Sequence, residues 1–387
     1  MKARRRNLSE LDGFDIKVYR ELDQSLEDTW RAFENISNHY GYQSFDWIKH
    51  WYISVGHTYK QIELTIVVVS IKSETKYIFP MCIRTFHGIR ILEWLGDAQS
   101  DYHAPLINSE ENLSIDDFKD LWSHVLICIP MFDVLHFKKQ PRMIGYQKNP
   151  FVSGMQTKIV DLTHFAILPN SWYAYEKEMG LKKIMQDSRR LRRNLDKEGE
   201  LRFEISSDKE TFSRFVNAML EQKAVRLRDT RHSNLGYNPS RAKFYRSFDK
   251  SIGTNGNTHC SALLLDDQVI ATHWGFFHEG RFYYMMPAFE SRKWAKYGPG
   301  RLLLEELIKW SIEQDLKIFD FTIGDEDYKK QWAGSSMHLY ESLISKTFKG
   351  SLFRYGLLIF HRMKRLIADS CLEVFGRKIW QKVNSKN

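Results

Sequence analysis

The order of elements in this chain repeats, and the repeat limits the fold more than any other feature. Residues 24–54 carry a helical pattern, with Phe45, Trp47, Ile48 and Trp51 at helical spacing. Three stretches rich in β-branched and aromatic residues follow, at 61–71, 76–83 and 88–94, each bounded by turn residues. A helix is expected at 114–129 and an apolar strand at 132–137. The second half runs through the same series. A helix is expected at 209–226, and strands at 259–265, 268–277 and 281–286. Hairpin signals separate these strands at Asp266-Asp267 and His278-Glu279-Gly280. A helix at 300–315 and a strand at 318–321 complete the series. Helix, antiparallel meander, helix and strand, twice over, predict an α/β (α+β) fold built from two similar halves. Chance recurrence of common elements is the alternative.

With 387 residues, 43% of them hydrophobic, the chain can bury the cores of two domains. The expected divisions are 1–165, 166–346 and a tail, 347–387. An aromatic content of 14% argues against disorder. No apolar run approaches the ~18–20 residues that span a bilayer. The basic start, Met1-Lys-Ala-Arg-Arg-Arg, leads into polar residues and not an apolar segment, so export is not expected. Cys82, Cys128, Cys260 and Cys371 show neither metal-ligand spacing nor a disulfide framework. They read as core residues in a reducing cytoplasm, and no metal site is read from the sequence. The net charge is +9. Residues 182–193 hold six Lys/Arg against one Asp, and residues 349–387 hold nine against two acids, so these segments account for the excess. Such elements suit an anionic partner or a solvated helix face.

Two motifs carry candidate chemistry. The stretch Asp320-Phe-Thr-Ile-Gly-Asp-Glu-Asp-Tyr-Lys-Lys-Gln-Trp332 gathers four acids, two lysines, a tyrosine and a tryptophan at the end of a buried strand. That is where an α/β fold commonly places its site, and it is also an ordinary capped helix start. Lys296-Tyr-Gly-Pro-Gly-Arg301 lies between a meander and a helix. Glycines there would let an anion reach the backbone N–H groups, with Lys296 or Arg301 adding charge, although a turn needing positive φ explains them equally well. His273, inside an apolar strand beside Trp274, reads as a core histidine or a base.

Four stretches together resemble the BioF2-like/CelD group of GNAT acyltransferases, itself similar to the Fem-type aminoacyl transferases. They are Phe45-Asp-Trp47-Ile-Lys-His-Trp51, the segment Leu95-Gly-Asp97 through Ser100-Asp-Tyr102, the basic helix Ser188-Arg-Arg-Leu-Arg-Arg-Asn-Leu195, and the Asp320–Trp332 ending. The likeness spans about residues 40–345. It implies two GNAT-like halves, each a mostly antiparallel meander with flanking helices, and a helix N-terminus that holds the pyrophosphate of acetyl-CoA. Carried over residue by residue, Asp325, Glu326, Tyr328 and Lys329 become catalytic. Tyr284, Met286, Lys296, Gly298, Gly300 and Arg301 become donor-binding, with backbone N–H groups at 284–286 polarising the carbonyl. Asp97, Asp101, Tyr102, Arg189, Arg193 and His273 are expected to bind substrate, the two arginines sharing a helix face that suits the phosphates of CoA, of a sugar nucleotide or of a tRNA backbone. The phosphate loop departs from the usual GNAT form, because Ala295 stands three places before Gly298. The donor thus stays open between an acyl-CoA and aminoacyl-tRNA, and an inactive scaffold remains a third reading. The expected acceptor is a small molecule or a lipid-linked sugar, such as an amino sugar of a polysaccharide or glycolipid precursor.

Residues 351–382 place Leu352, Phe353, Leu357, Phe360, Met363, Leu366, Ile367 and Phe375 at helix-like intervals among basic residues. This reads as a basic amphipathic helix, set either on the inner membrane face or on the protein's own body.

Overall fold

The computed structural model describes residues 13–59, 61–229, 238–251, 257–360 and 362–363. In the first half the strands Ile62–Ile71, Glu74–Phe86 and Ile89–Trp94 pair antiparallel in order. Helix Ile115–Cys128 then carries the chain to Val134–Pro141, which runs parallel to Ile89–Trp94. In the second half Thr258–Leu265, Gln268–His278 and Arg281–Tyr283 form the meander. Helix Pro299–Glu313 leads to Ile318–Ile323, parallel to Arg281–Tyr283. A parallel partner needs a crossover, and each half supplies it with a helix.

The halves exchange strands. Lys158–Ile167, at the end of the first half, pairs with Ile318–Ile323 of the second. Ser335–Ser345, at the end of the second, pairs with Lys158–Ile167 and with Val134–Pro141 of the first. One continuous mixed sheet results, from Phe14–Tyr19 at one edge to Leu201–Ile205 at the other. A division at residue 165 therefore falls inside a strand.

An aromatic core lies where the halves meet. Tyr42 and Trp47 of the first half pack on Phe276 of the second at ring separations of 5.3 and 4.9 Å, and Trp47 also meets Phe244 at 5.0 Å. Gly41 permits this approach, because a Cβ there would lie 2.4 Å from the Phe276 ring. The helix expected over 24–54 is broken for the same reason. Helices Gln24–Glu34 and Phe45–Ser54 are separated by strand Ser37–Asn38, and the Ser44 side chain accepts the Trp47 N–H to start the second helix. The strand expected over 281–286 stops at Tyr283, beyond which the Tyr284 N–H turns to the Asp320 carbonyl and the Met286 N–H to that of Trp274. Cys82 and Cys260 are buried and Cys128 is half-buried, while Cys371 lies outside the described residues.

Candidate active site

The glycine segment and the acidic segment meet at one cavity of about 420 Å³. Helix Pro299–Glu313 begins at its wall. Pro299 at the first helical position fixes the entry φ, and the cap residue Gly298 sits at φ 61 with no side-chain cap. The Arg301 and Leu302 N–H groups turn back to the Gly298 carbonyl, whereas the Gly300 N–H has no acceptor among the described residues. A Cβ at Gly300 would lie 3.0 Å from the Phe289 ring, which also lines the cavity. The positive end of this helix is thus open to an anion. Arg301 lines the same wall and is tied to Asp187 of the basic helix Lys182–Leu195 at 2.6 Å.

The segment after strand Ile318–Ile323 gives the cavity Tyr328, Gln331 and Trp332, while Glu326 and Lys329 adjoin this stretch without lining the cavity. Gly324 has φ 128, and a Cβ there would fall 2.2 Å from Glu326 Oε2 and 2.7 Å from Lys329 Nζ, so glycine makes room for that pair. Lys329 is buried; it donates to the Ile323 carbonyl at 2.6 Å and pairs with Glu326 at 3.0 Å. Burial works to raise the Glu326 pKa, but the backbone hydrogen bond and Lys329 outweigh it and hold the carboxyl below its ordinary value. Helix Asp327–Trp332 sets Tyr328 and Trp332 on the cavity wall. Burial, then the Glu326 charge, pushes the Tyr328 phenol well above its usual pKa, so it stays protonated at neutral pH.

The other sequence candidates fall elsewhere. Asp325 is exposed on the outer side of the loop, held by His164 at 3.0 Å and Lys330 at 3.1 Å, which lower its pKa. Tyr284 lines the cavity; Met286 and Lys296 do not. The N–H groups of Tyr284 and Met286 are engaged by the Asp320 and Trp274 carbonyls, so neither is the free donor expected there. Between them, the Met285 N–H has no acceptor among the described residues. Asp97 accepts the Tyr59 hydroxyl at 2.6 Å, away from the cavity. Asp101 lies behind the acidic loop beside Lys139 and Thr322, and burial raises its pKa. Tyr102 is buried, with its hydroxyl donating to Asp320 at 2.7 Å, so it joins the halves and does not face an acceptor. His273 is buried and stacked on Tyr284 at 4.9 Å, with no hydrogen-bond partner among the described residues, and burial lowers its pKa. Arg189 and Arg193 project from the basic helix to the exterior, while Arg190 and Arg192 are paired with Asp187 and Glu306.

Helix Lys209–Asp229 contributes two groups that sequence reasoning missed. Arg226 lines the cavity, its guanidinium 5.5 Å from the Phe289 ring. Lys223, one turn earlier, has its pKa lowered to about 8, by burial first and then by Arg226. Their only signal in the sequence is a three-residue spacing of cations within an expected helix.

Known proteins resemble this chain in its second half by sequence and over most of its length by fold. Residues 182–330 match the family model described as an acetyltransferase (GNAT) domain. No curated protein matches in sequence. Among solved structures, FemX is similar with a TM-score of 0.56 at 9% identity, over 85% of this chain and 97% of that one. A conserved protein of unknown function from Bacteroides thetaiotaomicron gives 0.54 at 10% identity, over 86% and 100%. L-PGS from Bacillus licheniformis gives 0.50 at 11% identity, over 89% and 99%. The family match places a GNAT-type transferase domain in the second half of the chain, and the first half repeats its order of elements. Residues 182–330 carry a GNAT acetyltransferase domain, and the chain as a whole shares its fold with FemX and the other similar structures.

Proposed function

We propose that the cavity binds an acyl-CoA, with acetyl-CoA the donor, and transfers the acyl group to the amine of an amino sugar or a similar polysaccharide or glycolipid precursor. The observation that carries this reading is the uncapped helix start at Gly300, which faces the same cavity as a protonated Tyr328. When bound, acyl-CoA would supply an activated thioester. The Gly300 N–H, the helix dipole and Arg301 bind the donor's phosphates. Glu326, kept ionised by Lys329, takes the proton of the attacking amine, directly or through water, as the C–N bond forms. Tyr328 gives its proton to the sulfur as the C–S bond breaks. Lys329, buried against the Ile323 carbonyl, orients Glu326 and meets no solvent-borne acceptor.

A second reading, aminoacyl-tRNA as donor, draws on the exposed Arg189 and Arg193 and on the similarity of fold to FemX. Two assays separate the readings. Thermal stabilisation by CoA and acetyl-CoA at low and moderate salt supports the first. Stabilisation by tRNA alone, lost with salt and with Arg189→Ala/Arg193→Ala, supports the second. Under the first reading Tyr328→Phe and Glu326→Gln each lower kcat about 10²–10⁴-fold while donor binding persists. Full activity in both variants would remove these roles.

The tail supports an acceptor at an anionic membrane surface. Residues 348–360 are helical, and Gly350 packs the helix against the Asp133 carbonyl, where a Cβ would lie at 2.1 Å. Phe348, Leu352, Tyr355, Ile359 and Met363 follow helical spacing, and all are exposed on the side away from the body. An outward apolar stripe beside Lys349, Arg354 and Arg362 suits insertion at the headgroup level. The remainder of the amphipathic pattern, residues 364–387, lies outside the described residues. No helix among the described residues is long and apolar enough to cross a membrane. Flotation with phosphatidylglycerol vesicles should recover the protein, and Leu352→Glu/Ile359→Glu should abolish recovery. Wild-type protein that stays out of the vesicle fraction would refute this contact.

A further inference from the structure

The junction of the halves carries a second group of chemically capable side chains. Among the described residues, His39, His278 and Glu279 each offer one ligand atom, and the three atoms lie within 4.8 Å of one another. His39 belongs to the first half, just after strand Ser37–Asn38. His278 ends strand Gln268–His278 of the second half, and Glu279 opens the hairpin turn that follows.

Each requirement of a metal site can be checked in turn. The His39 Nδ1 lies 3.3 Å from the Ser37 carbonyl, which can only accept, so Nδ1 carries the proton and Nε2 keeps its lone pair. That Nε2 is buried and has no hydrogen-bond partner among the described residues, and the same holds for Nε2 of His278. Two desolvated imidazole nitrogens left unpaired side by side are costly without a shared partner. Their ring centroids are 4.5 Å apart, and Glu279 Oε2 lies 3.9 Å from His278 Nε2. The backbone holds the pair in place: a Cβ at Gly41 would sit 3.0 Å from the Cβ of His278. Glu279 is exposed and can swing inward, while the histidines stay fixed. A cavity of about 470 Å³, lined in part by His278 and Glu279, provides an entry path and room for a water ligand.

We propose that His39, His278 and Glu279 bind a divalent transition-metal ion of the zinc class, with solvent in the fourth position. Two imidazoles and one carboxylate at converging positions suit a tetrahedral borderline-soft ion better than Mg²⁺ or Ca²⁺, which favour oxygen donors. None of the three residues lines the acyltransferase cavity, so the ion acts as a clip between the halves and not as a Lewis acid for transfer. The inference is independent of the donor and acceptor proposed above.

The test is titration of chelator-stripped, full-length protein with Zn²⁺ by calorimetry, and with Co²⁺ by its visible absorption, alongside thermal unfolding. One saturable equivalent and a rise in Tm with Zn²⁺ concentration are expected. Glu279→Ala, at an exposed position, and His278→Gln should each weaken binding by about tenfold or more. Far-UV circular dichroism shows whether each variant keeps its fold, and Glu279→Ala is the variant least exposed to misfolding. Absence of a saturable equivalent in the wild type would overturn the proposal, as would wild-type affinity in both variants.

Discussion

The contact that most directly tests the two-half architecture is Tyr102 with Asp320. The Asp320 carboxylate is fully buried and accepts from three donors. The Tyr102 hydroxyl shares its one proton between the two oxygens at 2.7 and 2.8 Å, Arg281 donates at 2.7 Å and the Thr322 N–H at 2.8 Å. Burial opposes the charge on Arg281, but Asp320 outweighs it and raises its pKa. Tyr102→Phe removes one oxygen and leaves the ring, so packing changes little while a charge-assisted hydrogen bond is lost, at about 1.5–3 kcal/mol. Asp320→Asn leaves Arg281 buried without its counter-charge, at about 3–5 kcal/mol. Because the two act on one contact, the double variant should cost well under the sum of the singles. Urea unfolding followed by tryptophan fluorescence measures all three. The exchanged strands should make both halves melt in one transition, and the midpoint shift at constant slope gives the change in stability. A Tyr102→Phe loss below about 0.5 kcal/mol, or strict additivity with Asp320→Asn, would refute the view that this carboxylate joins the halves.

Two further outcomes follow from the structure. Glu341, on the exchanged strand, accepts from His136 at 2.6 Å and Lys158 at 2.6 Å. Burial favours its neutral form, yet these partners bring its pKa down to about 2. Since burial lowers the His136 pKa as well, at neutral pH the imidazole donates as a neutral ring and Lys158 supplies the charge. A depressed carboxylate pKa stabilises the fold above the ordinary value of 4.5, and that contribution is lost as pH falls toward about 2. Glu341→Gln should therefore destabilise the protein by up to about 3 kcal/mol at pH 7. The gap to wild type should close in acid, which a pH series of urea midpoints reads. Gly300→Val should press a side chain into the Phe289 ring and block the open helix start, raising the donor KM at least about tenfold with the fold retained; an unchanged KM would move the phosphate site elsewhere.

The sequence alone determined the repeated series of helix, meander, helix and strand, because hydrophobic periodicity and turn residues are local signals. Of the candidates named from the sequence, Gly298, Gly300 and Tyr328 line the cavity and Glu326 does not; glycine-rich helix starts and acidic strand ends can be named because they lie within single segments. It did not reveal the strand exchange. Lys158–Ile167 and Ser335–Ser345 gain their meaning only from partners in the opposite half, and pairing over such separations leaves no local trace. The same reason removed Asp97, Tyr102 and His273 from the cavity: residue type marked them as reactive, and burial with fixed partners gave them other tasks. Lys223 and Arg226 became visible only when the fold set one helix face beside the acidic loop. The pairing of His39 with His278 likewise belongs to tertiary structure, because only the packing of one half on the other brings two rings so distant in the chain to 4.5 Å.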